Sequence, residues 1–226
     1  NHAIVKTSLV NLHGEKEIAA SHFDFSKAPS GAVEVVEAKQ GCSAASFGNF
    51  FVENHLREML EGLGVWLPGK LTRIVYSDRY LKAPLPMLCA LRTFGALHEQ
   101  LSSNSGPTKV RLLCDKASNA REPRQIFHNW ETSAEQDEVA ENLAAALGLE
   151  LQIADEQAEH ARHLELHFSS GETVSIYLDQ GFGQWRLSGN AHFNFHQRPE
   201  QQSKALLALK AYVGCESDSY IAATTK

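Results

Sequence analysis

The sequence lacks several features that would each indicate a specialised class of protein. It has four cysteines, and no two of them form a CxxC pair, so neither a zinc ribbon nor a redox motif is indicated. No apolar run is long enough to span a bilayer, and the amino terminus lacks the basic-then-apolar pattern of a signal peptide. We therefore predict a cytoplasmic protein without a membrane partner, in which Cys89 and Cys114 are reduced core residues.

Positive charge is also scarce. The 226 residues include 21 Lys and Arg against 27 Asp and Glu, for a formal net charge of -6. Counterion release on nucleic acid needs many cations that face phosphates, so this balance argues against wholesale, non-specific binding and leaves room for a local basic patch. The chain begins at Asn1 without a methionine, and we expect a processed chain or a domain of a longer protein.

What the sequence does contain is an alternation of strand and helix patterns. Strand-like segments at 71–78, 108–115 and 150–155 alternate with helical periodicity at 84–101 and 133–149, which is a βαβαβ unit. Three further strand candidates and a last helix follow, at 162–168, 173–179, 189–196 and 198–214. This order predicts an α/β fold with a mixed β-sheet flanked by helices on both faces.

The first part of the chain has a different pattern. Residues 3–12 and 31–38 alternate like the two strands of a hairpin, and residues 46–64 have the spacing of an amphipathic helix. That helix lacks a lysine-rich side, so packing on the core of the protein is favoured over docking on a membrane or a partner. We predict two parts: residues 1–67 as an extension packed on the main domain, and residues 68–226 as the main α/β domain.

The segment 159–182 concentrates groups that can act on a phosphodiester. Residues two apart in a strand share a face, so His160 and Arg162 are predicted to point together. In such a pair the imidazole acts as nucleophile or general acid, and the cation neutralises a non-bridging phosphate oxygen. This chemistry needs no metal. The alternative is a solvated turn before a strand.

The other histidines of this segment belong to a different face. His163 and His167 share it with Glu165, and two histidines on a predicted neighbouring strand, His192 and His196, extend it. Imidazoles on adjacent strands can converge on zinc, but no carboxylate or thiolate spacing accompanies them. A polar outer face is therefore favoured, and no metal or cofactor is predicted.

Three short motifs occur in a recognisable order along the chain. The first is Asp78-x-Tyr80 at the end of a strand, the second is His160-x-Arg162 at the start of a hairpin, and the third combines Leu178, Asp179 and Gly181. In this order the motifs resemble the phospholipase-D-like domain that ends MIT-domain proteins of the ESCRT-III pathway. Bacterial relatives of that domain often occur beside helicases in predicted phage-defence operons. The resemblance covers roughly residues 68–213.

The resemblance implies a phospholipase-D-like fold and a set of site residues. His160 and Arg162 match the catalytic motif, and Asp78, Tyr80 and Asp179 match the residues around it. Ala161 stands where the family has an aspartate, and Arg162 stands where catalytic phospholipase-D enzymes have lysine. These departures favour a site that binds a phosphate over one that cleaves it.

A tryptophan and an arginine lie close to these motifs. Trp185 and Arg186 fall in a predicted loop, as do Trp130 and Arg124, and aromatic and arginine pairs can stack the bases of single strands. We include Trp185 and Arg186 among the ligand-binding candidates. The alternative, that the tryptophans seal their loops onto the core, is favoured by the usual burial of this residue.

Three classes of function are compatible with these observations. The first is a non-catalytic or degenerate phospholipase-D-like module that binds a phosphate-bearing ligand, above all nucleic acid, or a partner protein such as a helicase, in a prokaryotic DNA-processing or antiviral-defence assembly. The second is a metal-independent nuclease or phosphodiesterase that uses His160 and Arg162, and one such pair per chain would require a homodimer. The third is a lipid-binding module, against which the negative net charge argues.

Overall fold

The computed structural model describes residues 34–37, 41–64, 70–102, 106–117, 123–154, 162–178, 180–188, 192–215 and 220–225. Its strands are β1 Glu34–Glu37, β2 Cys42–Ser43, β3 Leu71–Ser77, β4 Thr108–Leu113, β5 Leu149–Ala154, β6 His163–Phe168, β7 Thr173–Leu178, β8 Trp185–Leu187, β9 Tyr212–Cys215 and β10 Tyr220–Thr225. Its α-helices are α1 Phe47–Phe51, α2 Arg57–Gly62, α3 Pro84–Leu101, α4 Ser133–Ala146 and α5 Pro199–Leu207. A π-helical segment, Val52–Leu56, joins α1 to α2 without a break.

Seven of these strands form one mixed sheet in the order β1-β10-β7-β6-β3-β4-β5. The pairs β3–β4 and β4–β5 are parallel, and the pairs β3–β6, β6–β7, β7–β10 and β1–β10 are antiparallel. The predicted βαβαβ unit is therefore confirmed as the parallel end of the sheet. A smaller antiparallel sheet has the order β2-β9-β8.

The helices α3 and α4 lie on the same side of the parallel part of the large sheet. The parallel strands β3, β4 and β5 are added in one direction, and right-handed crossovers then place both connecting helices, α3 and α4, on the same side. Burial alternates along the strands accordingly, with Ile74, Val110 and Leu164 buried on this side. The α/β class and the mixed sheet flanked by helices are confirmed.

An aromatic cluster fills the space between the amino-terminal helices, α3 and the sheet. The ring of Phe47 stacks on Phe51 and meets Trp185 edge-on at 4.9 Å, and Phe182 contacts Tyr76 of β3 at 5.5 Å between ring centres. All five side chains are buried, and rings in such arrangements contribute about 0.5–1.5 kcal/mol per pair beyond the burial of their surface. The helix predicted at 46–64 thus packs on the core, and no described helix is long and apolar enough to cross a bilayer.

Two elements differ from the predictions. Residues 192–198 are irregular and do not extend the strand predicted at 189–196, and the last helix ends at Leu207, after which the chain forms β9. The helix α4 is capped by Thr132, whose hydroxyl accepts from the Glu135 N–H at 3.0 Å. Gln136 is free to turn inward, where its Oε1 accepts from the Ala117 N–H at 2.7 Å.

The amino-terminal part shares its sheets with the rest of the chain. β1 pairs with β10, and β2 pairs with β9, so strands on either side of residue 67 are hydrogen-bonded to each other. The strand predicted at 3–12 lies outside the described residues. The division into an extension and a main domain at residue 67 stays a prediction.

Candidate nucleotide-binding pocket

Three chain segments meet at one edge of the large sheet. β3 ends at Ser77, which pairs with His163 at the start of β6, and His163 in turn pairs with Tyr177 near the end of β7. The residues that follow β3, precede β6 and follow β7 therefore lie side by side. These are Asp78 and Tyr80, Arg162, and the turn that contains Gly181.

A cavity of about 580 Å³ opens at this edge. Its far wall comes from the segment between β4 and α4, which is attached by hydrogen bonds from the Trp130 N–H to the Lys82 carbonyl at 3.0 Å and from the Leu85 N–H to the Ile126 carbonyl at 2.9 Å. The lining residues are Tyr80, Lys82, Ala83, Pro86, Phe127, Asn129, Arg162, Gln180, Gly183, Gln184 and Arg186.

Asp78 forms a buried support beneath the pocket. Its Oδ1 accepts from the Tyr80 N–H at 2.9 Å, and its Oδ2 accepts from the Tyr76 hydroxyl at 2.9 Å. The Nε atom of Arg162 lies 3.8 Å from Oδ1. Burial raises the pKa of Asp78, and the Tyr80 N–H, the Arg162 charge and the Tyr76 hydroxyl oppose that rise. The carboxyl group therefore ties together two residues of the pocket wall.

Gly181 makes this arrangement sterically feasible. Its φ is +59°, and an added Cβ would lie 2.6 Å from Asp78 Oδ2 and 2.7 Å from Arg162 Cδ. Only glycine combines this left-handed backbone with so close an approach. The next residue, Phe182, is buried in the aromatic cluster and anchors the turn that carries Gly183 and Gln184.

Arginines and exposed aromatic rings alternate around the mouth of the pocket. The Cζ atom of Arg162 is 5.0 Å from the centre of the Tyr80 ring, and the Cζ atom of Arg186 is 5.6 Å from the centre of the Phe127 ring. Tyr80 and Phe127 are 45% and 37% exposed, whereas most large apolar side chains in the described part of the chain are buried. The rings thus hold the cations in place and still present a face to solvent.

The charge of the pocket lining is positive. Lys82, Arg162 and Arg186 are cations, and no carboxylate is among the lining residues within the described ranges. Two carboxylates outside the lining partly compensate. Asp115 Oδ2 lies 3.1 Å from Lys82 Nζ and 3.6 Å from Arg79 Nε, and Asp78 Oδ1 lies 3.8 Å from Arg162 Nε. The lining itself still presents only cations among its charged groups, and guanidinium groups suit a phosphate because they bind its oxygens with two parallel N–H donors.

Arg124, in the segment that forms the far wall, has a structural role. Arg124 pairs with Glu131 at 2.9 Å and with Glu135 at 2.7 Å, and its Cζ lies 4.1 Å above the ring of Phe195. Trp130 is fully buried. Both residues hold the segment that carries Phe127 and Asn129, in line with the alternative that this tryptophan seals its loop onto the core.

The structure brings together four of the predicted site residues. Asp78, Tyr80, Arg162 and Arg186 lie in or directly beneath the pocket. Trp185 does not line it, because its ring is fully buried against Phe47 and Phe50, and it belongs to β8 instead of a loop. His160 and Asp179 lie outside the described residues, so their predicted roles stay predictions.

Other lining residues were missed from the sequence. Lys82 lies two residues after Tyr80, and Gln184 directly precedes Trp185. That proximity to predicted site residues was the signal that could have found them. Phe127 and Asn129 reach the pocket from a segment that is distant in sequence, for which no local pattern exists.

The second group of histidines lies on the opposite face of the sheet, as the strand alternation predicts. His163 and His167 are 4.0 Å and 3.3 Å from the carboxylate of Glu165, and His163 stacks on Tyr177. His192 and His196 lie in an irregular segment and not on a neighbouring strand. Across the described part of the chain, no group of three or more His, Cys, Asp or Glu side chains is arranged to hold a metal ion.

Comparisons with known proteins give a family for the chain. A search of curated proteins found no match. A family model described as the C-terminal domain of the DEAD/DEAH box helicase YjiV matches residues 19–225. This match supports the helicase association that the resemblance implied, whereas the phospholipase-D-like likeness stays a prediction. The matched range covers most of the chain, which therefore belongs to the family of DEAD/DEAH box helicase YjiV C-terminal domains.

Proposed function

We propose that this domain binds nucleic acid through the pocket between Tyr80, Arg162, Phe127 and Arg186, as a non-catalytic module of a helicase-associated, DNA-processing assembly. One observation carries the proposal: cations and half-exposed aromatic rings together line a cavity of about 580 Å³. Arginine guanidinium groups match phosphate oxygens, and aromatic rings match bases, so the two kinds of group together fit a nucleotide chain better than a simple anion.

The overall charge is compatible with this local mode of binding. A formal net charge of -6 disfavours a long electrostatic contact with a duplex, but it does not oppose a pocket with three cations. The family description supports the context, since a domain that belongs to a helicase works where nucleic acid is present. The more detailed parts of the prediction, a phospholipase-D-like ancestry and an antiviral-defence setting, rest on the sequence resemblance.

A catalytic version of the proposal uses the same pocket. Arg162 lines it, and His160 precedes Arg162 by two residues in the sequence. In a metal-independent phosphodiesterase the imidazole would attack or protonate the phosphodiester, and two chains would supply the paired histidines. Cleavage of DNA or RNA in the presence of chelator that is lost in His160→Ala would support this version. Cleavage that is equal in wild type and variant would exclude it.

The binding proposal is tested by fluorescence anisotropy with labelled DNA and RNA at several salt concentrations. We expect Arg162→Ala and Arg186→Ala each to weaken binding about 10-fold, because charge-assisted hydrogen bonds contribute about 1.5–3 kcal/mol. Each variant should also reduce the slope of log affinity against log salt by about 0.7–0.9. Anionic lipid vesicles provide the comparison for the lipid-binding alternative.

Matched controls come from cations away from the pocket. Arg73 and Lys109 are exposed on β3 and β4, and neither lines the cavity. Arg73→Ala and Lys109→Ala remove the same charge and should leave binding nearly unchanged. Absence of binding to any nucleic acid, or equal losses in the control and pocket variants, would overturn the proposal.

A further inference from the structure

The aromatic rings of the pocket carry information about the form of its ligand. In a duplex the faces of the bases are covered by their neighbours, so a protein ring can stack only on a base that has left the helix. Tyr80 and Phe127 are both exposed at the mouth of the cavity, and each lies beside an arginine. A surface built for duplex phosphates alone has no use for exposed rings.

The size of the cavity also favours unpaired nucleotides over a duplex. At about 580 Å³ it lies within the range of about 300–1,000 Å³ that is typical of small-molecule sites. Such a cavity takes one or two nucleotides and not the width of a double helix. The polar lining includes the amides of Asn129, Gln180 and Gln184, which can both donate and accept hydrogen bonds.

Gln184 adds an independent observation. This lining residue is 8% exposed, and its Oε1 is buried with no hydrogen-bond partner within the described part of the chain. A buried acceptor without a donor is unfavourable, and a ligand that supplies the donor recovers that free energy. The exocyclic amino group or ring N–H of a base is a donor of this kind.

We infer that the pocket binds unpaired nucleotides of a single strand, an inference that rests on the proposed function. Tyr80 and Phe127 stack on base faces, Arg162 and Arg186 bind the adjoining phosphates, and Gln184 contacts a base edge. Stacking is tolerant of sequence because every base has a π-face, so the rings contribute affinity for any base. A preference among bases would come from the contact with the Gln184 amide.

The test uses four labelled probes of about 12 nucleotides, a length within the usual footprint of a single-strand site. They are single-stranded DNA, single-stranded RNA, the matched DNA duplex, and an abasic strand with the same phosphates and no bases. We expect the two base-bearing single strands to bind about 10-fold tighter than the abasic strand, because only their bases can stack on the rings of Tyr80 and Phe127. The duplex should bind no better than the abasic strand.

Variants of the rings identify the contacts. Tyr80→Ala and Phe127→Ala should each lower the affinity for single strands about 10-fold, leave the salt slope unchanged, and reduce the advantage over the abasic strand. Tyr80→Phe keeps the ring and should restore most of the affinity that Tyr80→Ala loses. Tyr212, which is 51% exposed on β9 and outside the pocket, provides the matched control in Tyr212→Ala.

The outcomes separate this inference from the function on which it rests. Equal affinity for abasic and base-bearing strands, or tighter binding of the duplex, would overturn the single-strand inference and leave phosphate binding standing. No binding to any of the four probes would overturn both. Gln184→Leu keeps the size of the side chain and should weaken only the base-bearing strands; wild-type affinity in this variant would overturn the edge contact.

Discussion

The Cζ atom of Arg162 lies 5.0 Å from the centre of the Tyr80 ring, at the wall of the pocket. The two residues come from segments more than eighty positions apart, and both are held by Asp78, which accepts a hydrogen bond from the Tyr80 N–H and lies 3.8 Å from the Arg162 Nε. A buried carboxylate thus fixes both the cation and the ring.

Arg162→Lys should distinguish the shape of the guanidinium group from its charge. Lysine keeps the positive charge but loses the planar fork and the stacking on Tyr80. We expect about a 5-fold loss of affinity for single-stranded DNA with an unchanged salt slope, because a cation–π contact contributes about 0.5–2 kcal/mol. Anisotropy titrations measure both quantities. Arg73→Lys is the control, and equal effects of the two changes would contradict a special role for Arg162.

Gly181→Ala should destabilise the fold and weaken ligand binding together. The left-handed φ of +59° costs a residue with a Cβ about 1–2 kcal/mol, and the contacts at 2.6 Å and 2.7 Å force Asp78 or Arg162 to move. Urea unfolding measures the free energy of unfolding, and anisotropy measures binding. Gly171 also has a positive φ, +92°, but an added Cβ would meet nothing within 4 Å. Gly171→Ala therefore reports the backbone cost alone, and losses of equal size would show that the close approach at Gly181 is unimportant.

Asp78→Asn should change how stability depends on pH. Burial raises the pKa of Asp78 above its ordinary value of 3.8. The folded protein therefore holds this proton more tightly than the unfolded chain, and the free energy of unfolding falls as pH rises from 3.8 through the folded pKa. The asparagine variant lacks this loss, so its stability relative to wild type should increase over that window. Parallel stability curves for the two proteins would contradict the raised pKa.

His55 should make the protein sensitive to mild acid. This residue lies in the π-helical segment, buried between the rings of Phe50 and Phe51, and burial lowers its pKa below the ordinary 6.5. The unfolded chain then binds the proton more readily, so the free energy of unfolding falls as pH drops from 6.5 through the folded pKa. Urea unfolding between about pH 8 and pH 5 should show a smaller loss for His55→Phe than for wild type.

A second measurement covers the case in which His55→Phe does not fold. The ring protons of His55 in the wild-type protein can be followed by NMR through the same pH range. A midpoint below that of a histidine in the unfolded chain is expected. A midpoint at or above 6.5 would show that the ring is not desolvated as the structure indicates.

Much of the fold is predictable because local patterns decide it. The apolar alternation of β3 and the proline at the start of α3 define two elements whose observed bounds, Leu71–Ser77 and Pro84–Leu101, agree with the predicted ones. The β1, β6 and β7 segments are likewise found where the alternation places them. The prediction of a strand at 189–196 is wrong for residues 192–196, which are irregular. The alternation there arises because Phe193 and Phe195 pack against the core and Phe195 contacts Arg124, and not because the segment pairs with another strand.

The candidate site was only partly predictable. The end of a strand is a usual place for ligand groups in an α/β fold, and this rule led to Asp78 and Tyr80. Arg162 and Arg186 followed from the motif order and from the neighbouring tryptophan. Trp185 itself was chosen for its chemistry, but the cluster around Phe47 buries it completely, since a large ring gains more from burial than from exposure.

The sequence by itself therefore determined which residues share a face of each strand, where the main helices begin, and that His163 and His167 stand apart from Arg162. These properties depend on the periodicity of neighbouring residues, which is local. Only the tertiary structure decided that Phe127 and Gln184 line the same pocket as Tyr80, and that β10 joins β1 to β7. Such contacts join distant segments, and they are decided by the competition of many side chains for burial and hydrogen bonds.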